Sequence, residues 1–158
     1  MVEIPKGSRN KYEYDEQLKA IRLDRVLYSS VHYPTDYGFI PDTRAPDGDH
    51  LDVLVFTNEP TFPGCFVTGR AIGVLRMHDD KGEDDKILAV PVDDPRFDNV
   101  AELRDISPHW LLEIENFFAT YKRLEDKLTE ITGWGDAADA IAIIERCRAA
   151  EQSAHGRG

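Results

Sequence analysis

The sequence is short of cysteine, of basic residues and of long apolar runs. It has two cysteines in 158 residues, and 19 Lys and Arg stand against 30 Asp and Glu, which gives a formal net charge of −11. Because Cys65 and Cys147 lie far apart and form no Cys-x-x-Cys pair, we expect two buried free thiols in a reducing compartment. No apolar run reaches the roughly 18 residues of a membrane span, and no signal peptide is evident. We therefore expect a cytoplasmic protein with no membrane partner.

The shortage of basic charge also bears on partners. A negative field repels phosphate backbones, so nucleic acid is not expected as a partner. Abundant carboxylates instead suit hard divalent cations, which take oxygen ligands. The length predicts a single domain with a core large enough to need no disulfide. We place that domain at residues 1–152 and expect residues 153–158 to form a disordered C-terminal tail.

Short apolar runs between Pro, Gly and Asp dominate the first hundred residues, a pattern typical of strands joined by turns. The predicted strands are Lys11–Tyr14, Ala20–Leu27, Leu51–Phe56, Phe66–Leu75 and Ile87–Val92.

The pattern becomes helical after Asn99. Ser107 followed by Pro108 predicts a helix start, and apolar residues then recur every three or four positions. A chain break is predicted at residues 133–135, and Asp136 is predicted to cap a second helix from Ala137 to about Ala150. That helix is expected to bury Ile141, Ile144 and Cys147. Strands followed by two helices indicate an α+β, mainly β protein, in which a small closed barrel would hide the strand edges.

The densest chemical feature is the acidic run Asp47–Asp52. Gly48 permits a tight turn that brings the first two aspartates together. Asp52 opens a predicted strand and shares a face with Leu54, where a carboxylate is costly without a compensating cation. A solvated acidic turn explains the first two aspartates equally well, but Asp52 favours a metal site.

A second acidic segment, residues 79–86, lies between two predicted strands. On local grounds it is a solubilising charged turn. Two acidic turns at the ends of neighbouring strands can, however, face one pocket. Their carboxylates could then hold two or more Mg²⁺ ions roughly 3.5–4 Å apart, as in two-metal hydrolysis.

Basic and phenolic residues accompany the acids in otherwise ordered stretches. A polyanionic substrate held between metals and cations would use such a set, although any single Lys is usually a surface residue. The residues are Lys11, Arg25, Lys86, Lys122, Tyr33, Tyr37 and Tyr121.

Ordered motif blocks over roughly Glu3 to Trp134 resemble the first family of soluble, Mg²⁺-dependent inorganic pyrophosphatases. The blocks are Glu3-Ile-Pro-Lys-Gly, Asn10-Lys-Tyr-Glu-Tyr-Asp, Leu23-Asp-Arg25, Tyr33-Pro-Thr-Asp-Tyr-Gly-Phe-Ile40, Asp47-Gly-Asp-His-Leu-Asp52, Gly82-Glu-Asp-Asp-Lys86, Ala89-Val-Pro91 and Phe117-Phe-Ala-Thr-Tyr-Lys-Arg-Leu-Glu125. The resemblance implies a five-stranded closed barrel of the OB type with two flanking helices, a homohexamer, and hydrolysis of pyrophosphate to two orthophosphates.

The same resemblance implies a role for each matching residue. Asp49 would be the general base and Tyr37 would lie near the nucleophile. The expected metal ligands are Asp47, Asp52, Asp84, Asp79 and Glu13, and the expected phosphate clamp is Lys11, Arg25, Lys86, Tyr121 and Lys122, with Glu3 and Lys127 in support. Several Mg²⁺ ions per site are implied, with Mn²⁺ or Zn²⁺ as possible substitutes.

Two positions depart from the family pattern, and two other functions stay open. His50 stands where relatives usually have Pro, and Asp36 stands where many have Asn. A non-catalytic divalent-metal-binding module would need the acidic turns but not the cations. An oligonucleotide-binding barrel would need a basic groove, which the net charge argues against.

Overall fold

The computed structural model describes residues 1–156 as a β-sheet, a β-hairpin and two α-helices. The strands are β1 (Val2–Ile4), β2 (Asn10–Asp15), β3 (Ala20–Val26), β4 (Asp36–Ile40), β5 (Leu51–Val55), β6 (Gly69–Asp79), β7 (Gly82–Glu83), β8 (Lys86–Pro91) and β9 (Glu130–Gly135); the helices are α1 (Pro108–Thr120) and α2 (Ala137–His155). The mainly β architecture with two helices is confirmed.

Seven strands form one sheet, and the remaining two form a separate hairpin. The sheet has the order β1-β4-β5-β8-β6-β7 with β9 also paired to β6, and β2 pairs with β3 alone. Within residues 1–156 no backbone ladder closes this sheet, so the predicted closed barrel is not confirmed. The hairpin contacts β1 through a side chain rather than through a backbone ladder. The Tyr14 backbone N–H donates to Glu3 Oε2 at 2.7 Å.

Glycines explain most of the errors in the predicted strands. The sequence prediction misses β1, β4, β7 and β9 and begins β6 three residues early. The predicted break at residues 133–135 is the end of β9. A Cβ at Gly38 would overlap the Met1 carbonyl oxygen, and one at Gly135 would lie 2.8 Å from Val74 Cγ1. These two glycines therefore do not form turns. They allow atoms of neighbouring segments to approach the strand closely.

Both helices begin where the capping signals predict. Ser107 Oγ accepts a hydrogen bond from the His109 backbone N–H, with Pro108 in the first turn. The Asp136 and Asp139 side chains accept from each other's backbone N–H at the start of α2, the reciprocal arrangement of a capping box. Neither helix, within the described residues, is apolar over the length that a bilayer requires.

The end and the buried face of α2 differ from the prediction. The helix continues to His155, so residues 153–155 of the expected tail are helical, whereas residues 157–158 lie outside the described residues. Ala140, Ile143 and Cys147 are buried, but Ile141 is 49% exposed. The three- and four-residue spacing that begins at Ala140, rather than at Ile141, therefore forms the buried face. Cys65 is only partly buried, contrary to expectation, and both thiols are free.

The sheet separates two apolar clusters, one on each face. Alternate residues of a strand point to opposite faces, and accordingly Leu54 belongs to the cluster that includes α1 while Val53 and Val55 belong to the cluster that includes α2. Because both faces of β5 and β8 are covered by these clusters, packing holds the two strands in place. Asp52, the second residue of β5, and Lys86, the first residue of β8, are held in place by this packing.

Asp36, at the start of β4, is fully buried and accepts three hydrogen bonds. Its Oδ1 accepts from the Lys6 backbone N–H at 2.7 Å, and its Oδ2 accepts from the Thr61 backbone N–H at 3.0 Å and from Thr61 Oγ1 at 2.6 Å. In Asp36→Asn the amide NH₂ must face one of the two N–H groups in either orientation. We expect a loss of about 1–3 kcal/mol in the free energy of unfolding, measured by urea titration. A shift no larger than that of Asp42→Asn, at an exposed turn residue, would contradict this.

Candidate active site

A polar cavity of about 570 Å³ lies where several elements meet. Its walls come from β2, β3, β4, the loop before β5, the β6–β7 turn, the start of β8 and the segment after α1. β5 and β8 run parallel, with Asp52 paired to Lys86. Because parallel strands start at the same edge of a sheet, the two acidic segments that precede them reach the same cavity.

Lys86 is at the centre of this cavity although it is almost completely buried. Its Nζ donates to Asp52 Oδ2 at 2.8 Å, to Asp84 Oδ1 at 3.2 Å and to the Tyr37 hydroxyl at 3.1 Å. Burial disfavours the ammonium charge, but Asp52, Tyr37 and Asp84 more than offset it and raise the pKa of Lys86 well above its ordinary value. Lys86 is therefore a permanent cation bound to two carboxylates.

The loop before β5 holds Asp47 and Asp49 at the cavity wall. Gly48 has a φ of +93°, a left-handed conformation that glycine adopts without strain. The turn lets the Asp49 backbone N–H donate to Asp47 Oδ1 at 3.0 Å. Burial, with the nearby charges of Asp49 and Asp52, raises the pKa of Asp47.

Two further carboxyl groups have strongly raised pKa values. Burial raises the pKa of Glu3 to about 7. Burial, with the charge of Asp52, raises the pKa of Asp84 to about 6 although Lys86 opposes this shift. Carboxyl groups that are desolvated and close to one another gain from a nearby cation.

The hairpin and the segment after α1 supply cations. Lys11 and Arg25 face each other across β2 and β3, and Lys122 follows the end of α1. Burial lowers the pKa of Lys122, while burial raises the pKa of the adjacent Tyr121. The cavity therefore combines carboxylates, ammonium and guanidinium groups and a buried phenol.

Known proteins resemble this chain in both sequence and fold. The family profile described as "Inorganic pyrophosphatase" matches residues 1–152. The chain belongs to the inorganic pyrophosphatase family. Relatives named inorganic pyrophosphatase from Synechocystis sp. and Methanosarcina acetivorans are 53% and 51% identical, covering 93% and 94% of this chain and 87% and 88% of their own.

A solved inorganic pyrophosphatase from Thermus thermophilus has a TM-score of 0.93 at 45% identity, over 96% of this chain and 88% of that one. The predicted membership of the inorganic pyrophosphatase family, and with it the class of enzyme, is confirmed.

The structure brings every predicted site residue of this pyrophosphatase-family chain to the one cavity. The lining includes Glu3, Lys11, Glu13, Arg25, Tyr37, Asp47, Asp49, Asp52, Asp79, Asp84, Lys86, Tyr121, Lys122 and Lys127. Their separate roles stay predictions. Tyr33, also singled out from the sequence, is buried against Tyr37 and Phe117 instead.

The sequence prediction missed a rim of the cavity on the side of α2. Arg44 Nε lies 2.9 Å from Glu151 Oε2, and Glu151 and His155 line the cavity with it. His50 is held by Thr43 O and Glu16 Oε1, each 3.0 Å from one of its ring nitrogens. The sequence predicted that α2 ends at about Ala150, whereas it continues to His155. The prediction therefore left Glu151 and His155 outside the helix and missed this rim.

The donor set suits a hard divalent cation, because its carboxylates offer oxygen only and because burial raises the pKa of Asp47 and of Asp84. Among residues 1–156, however, no three His, Cys, Asp or Glu side chains are gathered into a ready-made metal site. Lys86 lies between Asp52 and Asp84 and bonds to both.

Proposed function

We propose that this chain hydrolyses inorganic pyrophosphate to two orthophosphates in the cavity around Lys86. The observation that carries this proposal is the meeting of two acidic segments with Lys11, Arg25 and Lys122 in one polar cavity. Pyrophosphate is a small, hydrated polyanion, so it needs cations on the protein and charge neutralisation rather than an apolar pocket. The family membership supports the same substrate.

Mg²⁺ ions are the proposed cofactors, with Mn²⁺ or Zn²⁺ as substitutes. Asp47, Asp52 and Asp84 would hold the tightest ions, with Asp79 and Glu13 as further ligands. When bound, two or more such ions would lower the pKa of the attacking water and neutralise phosphate charge. The raised pKa values of Asp47 and Asp84 support this assignment, since a nearby cation would favour their charged forms.

Asp49 is the proposed general base. Its carboxylate lies on the loop next to Asp47 and lines the cavity, so it can accept the proton of the attacking water. Tyr37 is held by the Lys86 ammonium through its hydroxyl, and this contact fixes a donor beside the proposed nucleophile. The two groups would thereby hold the attacking water in position.

The cations and the buried phenol form the proposed phosphate clamp. Lys11, Arg25, Lys86 and Lys122 would bind oxygens on which negative charge increases as the bridging bond breaks. Tyr121, buried and protonated at neutral pH, would donate a hydrogen bond to the same oxygens. Glu3 would hold the hairpin through the Tyr14 backbone N–H, and Lys127 would add charge at the cavity edge.

Finer features of the whole protein are also proposals. Packing of the β2–β3 hairpin against β1 would complete an OB-type barrel without a continuous ladder. We further propose one domain over residues 1–152, a homohexamer and a cytoplasmic location.

Phosphate release from pyrophosphate tests the proposed function. We expect rapid release with Mg²⁺, none in excess EDTA, and full recovery when Mg²⁺ is restored, because charge neutralisation is required for the leaving phosphate. A colorimetric assay of orthophosphate measures the rate. Circular dichroism in EDTA is the control and should show the spectrum of the folded chain. No release from folded protein with Mg²⁺, Mn²⁺ or Zn²⁺ would overturn the proposal and favour a metal-binding module.

A further inference from the structure

A β-bulge lies in the hairpin at the point where it carries two of the cations. Lys11 is paired with Arg25, but the next residue of β2, Tyr12, is paired with Leu23. Asp24 is therefore the extra residue of β3. In a regular strand Asp24 and Arg25 would point to opposite faces, and a bulge is a device that redirects one side chain.

The bulge brings the Asp24 carboxylate to both cations. Its Oδ2 accepts from Lys11 Nζ at 3.1 Å and from Arg25 Nη1 at 2.8 Å. All three side chains are about a quarter exposed, 23% in each case, so the contacts are partly shielded from water. Burial of Asp24 opposes its ionisation, but the two cations outweigh that effect and lower the pKa of Asp24.

Without Asp24, the hairpin would place two like charges directly opposite each other, which is unfavourable across a strand pair. Glu125 Oε1 contacts the other edge of the Arg25 guanidinium, with Nε 2.9 Å away. Two carboxylates thus balance two cations. An ammonium has three donors and a guanidinium has five, so most donors of Lys11 and Arg25 stay available to a phosphate.

We propose that Asp24 is a positioning residue that fixes the distance between Lys11 and Arg25 so that both engage the same bound phosphate. Asp24 does not line the cavity, whereas Lys11 and Arg25 do, so it acts through them. This inference rests on the proposed function. Its specific element is the bulge, which puts an anion on the face of the hairpin that carries the two cations.

Steady-state kinetics of Asp24→Ala and Asp24→Asn at saturating Mg²⁺ test the inference. For Asp24→Ala we expect KM for pyrophosphate to rise about 10- to 100-fold, the size of effect that a displaced binding group produces. The turnover number should fall less than KM rises, because Lys11 and Arg25 are both still present to engage the bound phosphate. Asp24→Asn, which keeps one acceptor oxygen, should give a smaller rise.

A double-mutant cycle separates positioning from general damage to the fold. In a Lys11→Gln background the effect of Asp24→Ala on KM should shrink to a minor fraction, because one of the two cations whose separation Asp24 fixes is already absent. Arg22→Gln is the matched control, since it removes the Arg22–Asp15 ion pair of the same hairpin and should leave KM unchanged. Urea midpoints report on folding of every variant.

Three outcomes would overturn the inference. The first is an unchanged KM in folded Asp24→Ala. The second is an effect of Asp24→Ala on KM that is as large in the Lys11→Gln background as in the wild type. The third is a lower KM in Asp24→Ala, which would make Asp24 a competitor of phosphate. In the presence of Mg²⁺, the affinity for inorganic phosphate, measured by calorimetry, should fall as KM for pyrophosphate rises. If wild-type protein released no phosphate from pyrophosphate, the proposed function would fail, whereas phosphate binding would still decide the role of Asp24.

Discussion

Asp52→Asn is expected to lower the rate of pyrophosphate hydrolysis by well over 100-fold at any Mg²⁺ concentration. Asp52 lies near the start of the central strand β5, is paired to Lys86 across β5 and β8, and accepts from its ammonium at 2.8 Å. Loss of a partner one shell outside a metal ligand already costs about 10- to 100-fold. Loss of a proposed ligand should therefore cost more.

The measurement is orthophosphate release over a wide range of Mg²⁺, with urea midpoints taken in parallel. Asp93→Asn, at an exposed residue after β8, is the control and should keep full activity. Because Asn occupies nearly the same volume and Lys86 keeps Asp84 as a partner, the variant should fold. Activity within tenfold of wild type would remove Asp52 from the proposed metal site.

The acidic motifs could be predicted from the sequence because their chemistry is local. An aspartate at the start of an apolar run is expensive without a cation, and that cost is visible in the run Asp47–Asp52. The partner of Asp52 was not visible in this way, since pairing with Lys86 depends on β5 and β8 being parallel neighbours. The family resemblance, rather than periodicity, linked the two residues before the structure showed their contact.

Elements that depend on distant contacts were the ones missed. β4 and β9 contain glycines that signal turns locally, but here Gly38 and Gly135 admit neighbouring atoms at very short range. The bulge at Asp24 likewise depends on the pairing of two strands. The block Leu23-Asp-Arg25 could therefore be recognised in the sequence, but the contact of Asp24 with both cations could not be predicted from it. In each case the tertiary contact outweighs the local preference.

Lys86→Gln is expected to destabilise the metal-free protein by about 3–5 kcal/mol, because removal of the cation leaves two partly buried carboxylates uncompensated. The side chains of Asp52 and Asp84 are 27% and 14% exposed, and both contact the Lys86 ammonium. Urea unfolding in EDTA measures the loss. Lys6→Gln is the matched control, since its part-buried ammonium contacts the Thr57 carbonyl oxygen and lies over the Trp110 ring and should cost much less.

The loss in Lys86→Gln should also depend on pH and on metal. The pKa of Asp84 is already raised to about 6, so the folded state holds a proton that the unfolded state releases, and stability falls as pH rises from the ordinary carboxyl pKa through about 6. Removing Lys86 raises that pKa further, which makes the deficit larger at about pH 8 than at about pH 5. Added Mg²⁺ should restore much of the stability by supplying another cation, but not the activity, because the phosphate clamp has lost its buried member. An equal deficit at both pH values, or no recovery with Mg²⁺, would show that Lys86 supports the fold by packing rather than by its charge.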